Sequence, residues 1–351
     1  MSKGFTSALM QWHRYVNDRD MPWKGEKNPY KVWLSEVILQ QTRVEQGRGY
    51  YERFVEAYPD VASLAAAPDR DVFKLWEGLG YYSRCRNLLE TARRIVSDCG
   101  GVFPTTHAGI LALKGVGPYT AAAIASFAFG LPYAVVDGNV VRVLARVFGI
   151  SEPIDSASSR RVFSELAQSL LDSSDPGAFN QAMMDFGAVV CKPASPLCTS
   201  CFMREDCKAF SKGLVDDLPV KRPKAQRKRR WLYYAYVLCN GCILVREREG
   251  RDIWRGLNEL YCLESDCRLG LEGLMGHPAL QALAKGKGID RRAIGPEYTH
   301  ILTHQEIRGR FLRLDTPLPR TPVPGYRWVS LEEVADLAFP KPIAEYLRKN
   351  R

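Results

Sequence analysis

Leu113-Lys-Gly-Val-Gly-Pro-Tyr-Thr120 joins two stretches, 86–97 and 120–130, in which apolar residues recur at helical spacing. Its two glycines permit a tight backbone turn. The first amides of the helix that follows can hold a phosphate, which makes Gly115 and Gly117 candidate phosphate contacts. The same helical spacing recurs outward from this turn, at 32–46 and 61–67 on one side and at Asp137–Val147 and Arg160–Leu171 on the other. Residues 1 to about 207 therefore read as an all-α domain.

That domain closes on Cys191-Lys-Pro-Ala-Ser-Pro-Leu-Cys-Thr-Ser-Cys-Phe-Met-Arg-Glu-Asp-Cys207, with four cysteines (Cys191, Cys198, Cys201, Cys207) separated by six, two and five residues. Four thiolates so close in sequence can wrap one metal centre, and thiolate ligation suits zinc or an iron–sulfur cluster. Zinc ribbons use two C-x-x-C knuckles well apart in sequence. One knuckle flanked at longer range favours a four-iron cluster. Pro193 and Pro196 stiffen the loop between the first two thiols. Cys239 and Cys242, with Cys262 and Cys267 downstream, repeat the C-x-x-C spacing, but Asn240-Gly241 between them is what a tight hairpin needs.

Helical spacing stops at 208–230, where nine Lys/Arg against two Asp give a net charge of +7, most of the whole chain's +10. Pro219 and Pro223 interrupt it. This is a basic linker, solvated or laid along a phosphate backbone. The texture then turns to strands: Trp231–Cys239 and Cys242–Arg248 around Asn240-Gly241, then Tyr298–Thr303, Arg308–Leu314 and Tyr326–Val329. Helices are expected at Ser330–Leu337, with Ser330 and Glu333 as a capping box, and at Pro342–Leu347. The second domain, 231–351, is therefore α+β. With 46% hydrophobic and 25% charged residues the 351-residue chain is globular. No apolar run reaches the length of a membrane span, and the first residues lack a signal-peptide core. These features lead us to expect a cytoplasmic protein that is a monomer without a membrane partner. The basic balance favours nucleic acid.

The turn at 113–120 together with the cysteine loop resembles the MutY family of adenine DNA glycosylases, within the helix–hairpin–helix superfamily that includes endonuclease III. The matching segments are Arg19-Asp-Met-Pro-Trp23, Pro29 to Thr42, Trp76-Glu-Gly-Leu-Gly-Tyr-Tyr82, the hairpin, Val136-Asp-Gly-Asn-Val140, Asn180-Gln-Ala-Met-Met-Asp185 and the cysteine loop, in order over 19–207. The resemblance implies a six-helix module at about 25–134. It further implies an iron–sulfur module from 1–24 and 135–207 holding one [4Fe-4S] cluster on Cys191, Cys198, Cys201 and Cys207, and a C-terminal domain like Nudix hydrolases. The implied partner is double-stranded DNA carrying adenine opposite 8-oxoguanine or guanine, and in a bacterium the enzyme would be nucleoid-associated.

Hydrolysis of an N-glycosidic bond needs a proton donor for the leaving base and an anion beside an oxocarbenium-like sugar, a two-carboxylate logic. Glu36 lies inside the apolar helix Val32–Leu39, where burial would keep it protonated. The resemblance makes it the acid that protonates adenine and helps deliver water. Asp137 sits at a turn before a helix, where amides can keep it ionised. It would stabilise the sugar cation or form a transient covalent adduct. Asn139 would orient the water. The bifunctional relatives carry a Schiff-base lysine where this chain has Tyr119, and a phenol cannot form that imine. Monofunctional hydrolysis follows, with Tyr119 assisting by hydrogen bonding. Lys114 does not match the lyase nucleophile.

Base reading requires extrusion of the nucleotide. By resemblance, Gln181 bonds the adenine edge and Arg19 and Trp23 line its pocket. Gln41, Thr42, Leu79 and Tyr81 fill the duplex gap and contact the oxidised guanine. Thr303 and His304, in Leu302-Thr-His304, occupy the place of the family's usual Phe-Ser-His. Nothing after Gly256 supplies the R-E-x-x-E-E helix with which Nudix hydrolases hold magnesium, so recognition, not nucleotide hydrolysis, is expected there. Two other functions compete. A bifunctional pyrimidine-damage glycosylase is opposed by Tyr119 and the C-terminal domain, and a non-catalytic iron–sulfur redox sensor by Glu36 and Asp137.

Overall fold

The computed structural model describes residues 2–222, 226–250, 252–285, 289–316 and 322–350. Pro223 and Lys224 of the expected linker lie outside the described residues. The chain divides into two compact units, Met1–Ala66 with Arg86–Pro223, and Ala67–Cys85 with Lys224–Arg351.

The first unit is helical. Pro29–Leu39 is buried on nearly every side, as its apolar sequence requires. Asn28 caps it by accepting from the Tyr30 and Lys31 amides, and Pro29 takes the first position, where no amide is needed. The helix expected over 32–46 is two helices, Pro29–Leu39 and Val44–Ala57. The chain breaks at Gln41, whose φ of 55° lies in the left-handed region. Pro118–Phe129 packs against Pro29–Leu39 and ends on Gly130 at φ 63°. Gly138–Phe148 starts on Asp137 and ends on Gly149 in the left-handed region. Pro176–Val189 packs against it through Gly187, where a Cβ would come within 2.7 Å of the Asn139 Cβ. A second helical core joins the N-terminal helix Ser2–Tyr15 to these two and to Ala157–Leu170, with Phe5, Leu9, Phe163, Phe179 and Phe186 buried at its centre.

The second unit is a six-stranded sheet of β1 (Lys228–Cys239), β2 (Cys242–Glu247), β3 (Asn258–Ser265), β4 (Ile294–Ile301), β5 (Gln305–Asp315) and β6 (Arg327–Ser330), in the order β4-β5-β1-β3-β2-β6. Only β1 and β5 run parallel among these neighbours. The Asn240-Gly241 hairpin forms with both residues at positive φ, and sets Cys239 opposite Cys242 in register. The sequence reading missed β3, because Asn258, Glu259 and Glu264 break its strand pattern. Glu259 is nonetheless buried, neutralised by Arg246 at 2.7 Å and by Arg248. The capping box at Ser330 and Glu333 forms in both directions, but it opens only a short 3-10 turn, Glu333–Asp336. The last helix is Lys341–Asn350.

Residues 67–85, which the sequence reading places in the six-helix module, group with this sheet. Lys74 donates to the Leu337 carbonyl at 3.0 Å, the Phe339 amide donates to Glu77 at 2.8 Å, and Gly256 lies against the Phe73 ring. Among the described residues no helix is long and apolar enough to cross a membrane.

Candidate active site and nucleic-acid interface

In the first unit a cavity of about 440 Å³ opens among several helices and the connecting segment 19–27. Glu36, Tyr119, Asp137, Asn139, Gln181, Arg19, Trp23 and Thr42 all line it, so eight residues singled out in the sequence converge on one space. Such a volume suits a small organic ligand. Five of them arrive on or at the start of helices: Glu36 on Pro29–Leu39, Tyr119 in the first turn of Pro118–Phe129, Asp137 and Asn139 at the start of Gly138–Phe148, and Gln181 on Pro176–Val189, while Arg19, Trp23 and Thr42 come from connecting segments. Trp23 is also a core residue, edge-on to Tyr51 at 5.3 Å, so packing and lining coincide.

Glu36 is 6% exposed. Burial pushes its carboxyl up to about 7, and the negative charge of Asp137 acts in the same direction, against a hydrogen bond from Tyr119. Tyr119 is itself pushed well above the usual phenol range by burial and by the two carboxylates, so it is a neutral donor. Its hydroxyl also reaches the Met184 sulfur at 3.8 Å. Asp137 accepts from the Val140 amide at 2.7 Å and from Asn139 Nδ2 at 2.6 Å. These donors and the Arg142 charge favour its anion, but burial outweighs them, and the net shift is upward. That differs from the simple expectation of an amide-stabilised carboxylate. The cause is desolvation, which a turn sequence does not reveal. Together the groups can present a proton and a second carboxylate to one ligand. Lys114 is paired with Glu90 and is not among the residues lining the cavity.

The sequence reading missed Arg142. Its Nε donates to the Cys191 carbonyl at 2.7 Å, and one terminal nitrogen donates to Asn139 Oδ1 at 2.8 Å and to the Gly187 carbonyl at 2.6 Å. One turn on, Arg146 donates to the carbonyls of Lys192 at 2.7 Å and Leu218 at 3.0 Å. The two arginines fasten the cysteine loop to the helix that opens at Asp137. Two buried arginines four apart in an apolar helix were the available signal.

Cys191, Cys198, Cys201 and Cys207 line one small cavity with Val190, Phe186 and Met203. Among the described residues no group of three or more His, Cys, Asp or Glu is placed to hold a single metal ion. The donor set, four thiols around one apolar cavity, fits the chemistry of an iron–sulfur cluster.

The turn at 113–120 forms with Gly115 at φ 76° and Gly117 capping Pro118–Phe129, both exposed. At Gly115 a Cβ would come within 2.8 Å of the Asn87 side chain. Gln41 is exposed beside this unit's cavity-lining Thr42.

In the second unit, Leu79 is buried, while Tyr81 is 43% exposed at a φ of 49°. The Arg84 guanidinium lies 5.3 Å from its ring centroid, and burial lowers that group to about 10. Thr303 and His304 form the tip of the β4–β5 hairpin, closed by the Leu302 amide on the Gln305 carbonyl at 2.8 Å. The Tyr81 and Thr303 hydroxyls are hydrogen-bonded at 2.6 Å. Two residues 222 apart in sequence, both singled out as base readers, thus share one exposed site. Among the described residues no glutamate-rich helix follows Gly256, and Glu259 is committed to arginines.

Residues 34–169 match the HhH-GPD superfamily of base excision DNA repair proteins, and residues 233–349 match the NUDIX domain. The adenine DNA glycosylase of Buchnera aphidicola subsp. Baizongia pistaciae is 32% identical over 74% of this chain and 72% of its own length. The adenine DNA glycosylase of Mus musculus is 44% identical over 61% of this chain, which spans 44% of the mouse protein. Among solved structures, a thermostable thymine-DNA glycosylase superposes with a TM-score of 0.56 at 32% identity, over 60% of this chain and 97% of that one. A trapped endonuclease III–DNA covalent intermediate superposes at 0.53 and 22% identity, over 61% of this chain and 99% of that one, a likeness of fold. The chain belongs to the adenine DNA glycosylase family, enzymes of base excision repair that remove adenine from DNA.

Proposed function

We propose that this enzyme excises adenine paired with 8-oxoguanine, or with guanine, from duplex DNA by monofunctional hydrolysis. The observation that carries the reading is the meeting of Glu36, Tyr119 and Asp137 at one cavity, with Glu36 poised to hold a proton near neutrality. Extruded adenine enters the cavity, and its edge meets Gln181 beside Arg19 and Trp23. Glu36 protonates the base, and the N-glycosidic electrons leave with it. Asp137 balances the positive charge on the sugar, and water held by Asn139 completes hydrolysis after losing a proton to Glu36. Tyr119 donates to Glu36 and offers no amine, so no imine forms. A duplex with a single A:8-oxoguanine pair should release free adenine and keep its strand intact until heat or alkali is applied. Covalent trapping by borohydride at a lyase-like yield would sink the monofunctional mechanism, and absence of adenine release would sink the whole reading.

The amides at Gly115 and Gly117 would hold a backbone phosphate. Cys191, Cys198, Cys201 and Cys207 would hold one [4Fe-4S] cluster, which would fix the loop carrying Lys192, Arg204 and Lys208 against phosphates. Purified protein should be brown with broad blue absorption, lost in Cys198→Ala along with part of the duplex affinity. A colourless protein with stoichiometric zinc would overturn the cluster assignment.

Tyr81, Thr303 and His304, with Gln41, Thr42 and Leu79, would read the opposite base. The Tyr81–Thr303 hydrogen bond supports this, since it orients a phenol wedge and a hydroxyl together. Tyr81→Phe and Thr303→Val should each weaken the preference for 8-oxoguanine over guanine. Their double mutant should show a coupling of about 0.5–1.5 kcal/mol in duplex affinity. Strict additivity would mean that the two hydroxyls act separately.

A further inference from the structure

We infer that Asp185 sets the purine specificity of the pocket by locking the amide of Gln181 in one of its two orientations. The inference rests on the reading above, in which Gln181 meets the adenine edge. Asp185 is 0% exposed and lies one helical turn beyond Gln181. Its Oδ1 accepts from Gln181 Nε2 at 3.0 Å and from Arg19 NH1 at 2.7 Å. Its Oδ2 accepts from Asn17 Nδ2 at 2.8 Å, with Lys24 Nζ at 3.6 Å.

A carboxylate beside two cations only accepts hydrogen bonds. A side-chain amide facing it must therefore present nitrogen, and the choice between oxygen and nitrogen, open for most glutamines, is closed here. Asp185 cannot swing away, because Arg19 and Asn17 hold its two oxygens. Asn17 is held in turn by the Arg19 amide on its oxygen at 3.2 Å and by His13 Nδ1 at 3.0 Å from its nitrogen. Burial and the nearby Lys24 lower the His13 titration point, so its ring is neutral and can accept.

With Nε2 pinned, Gln181 keeps one N–H and its Oε1 for a ligand, and Oε1 has no partner among the described residues. An acceptor beside a donor matches the 6-amino group and N7 of adenine. A 6-oxo purine, guanine or hypoxanthine, places an acceptor where adenine has a donor, and meets Oε1 with lone pair against lone pair. If the amide could turn over, it would offer N–H to that oxygen. The lock is thus what separates 6-amino from 6-oxo purines.

The test compares single-turnover release of adenine and of hypoxanthine, each opposite 8-oxoguanine, by the full chain and by Asp185→Asn. The asparagine keeps the shape, and its Nδ2 can donate to Oε1 of the turned Gln181 amide. The adenine-to-hypoxanthine rate ratio should fall by about tenfold or more, by loss of adenine release with hypoxanthine release unchanged or raised. Equal losses for both bases would overturn the inference and reduce Asp185 to a fold residue. Asn17→Ala, which removes one partner of Asp185 and leaves both cations, should lower the same ratio by about two- to fivefold. It decides the question if Asp185→Asn does not fold, and an unchanged ratio there overturns the inference. Failure of the unaltered enzyme to release adenine would instead strike the reading on which this rests.

Discussion

Glu36→Gln should reduce adenine release by at least about 10³-fold while duplex affinity survives. The change keeps the shape of the side chain and removes its proton. The pH dependence follows from the same burial. Glu36 titrates at about 7 in the folded protein against an ordinary 4.5. The acid form is therefore populated below 7, and the single-turnover rate should fall as pH rises through 7. Stability carries the opposite signature. A carboxyl raised on folding contributes most below its unfolded value, and that contribution is lost as pH rises from 4.5 through 7. Above 7 the folded protein bears an ionised buried group at a cost of about 3 kcal/mol. Glu36→Gln removes this cost, so the variant should melt higher than the parent at pH 8, by a margin that shrinks as pH falls toward 4.5. An inactive variant with a raised melting temperature separates catalysis from folding. Substantial residual excision would end the acid assignment.

Asp137→Asn should lower adenine release by about 10²–10³-fold or more, because a neutral amide cannot balance a developing sugar cation. The substitution is a sharp one, since Asp137 has two roles. It caps Gly138–Phe148 through the Val140 amide, and asparagine is as good a cap. Fold and cap should therefore survive in Asp137→Asn, with a melting temperature close to the parent's. Asp137→Ala loses both roles and should be less stable by about 1 kcal/mol. Activity of the asparagine variant within tenfold of the parent would leave Asp137 only its capping role. Measuring both variants by single-turnover kinetics and thermal melting resolves the two roles.

The sequence by itself determined the helical character of the first two hundred residues, the glycine turn at 113–120, the hairpin at Asn240-Gly241 and the four-cysteine loop. All of these are local. Periodicity, turn chemistry and ligand spacing act over a few residues, so they can be read without knowing what packs against what. The same holds for the capping box at Ser330, which forms even though the helix behind it is only a short turn. The roles proposed for Glu36 and Tyr119 came from the resemblance of their segments to the family, because one glutamate in an apolar helix or one tyrosine after two glycines carries no chemistry by itself. Long-range encounters were decided only by the tertiary structure. Residues 67–85 join the C-terminal unit, Lys74, Glu77 and Phe73 meeting Leu337, Phe339 and Gly256, and in the same unit Tyr81 meets Thr303. Arg142 ties the Asp137 turn to the cysteine loop, and Asp185 gathers Arg19, Asn17 and Gln181. The upward shift of Asp137 belongs to the same class. Desolvation depends on what surrounds a group in three dimensions, and Glu36, Tyr119 and Asp137, far apart in sequence, line one cavity.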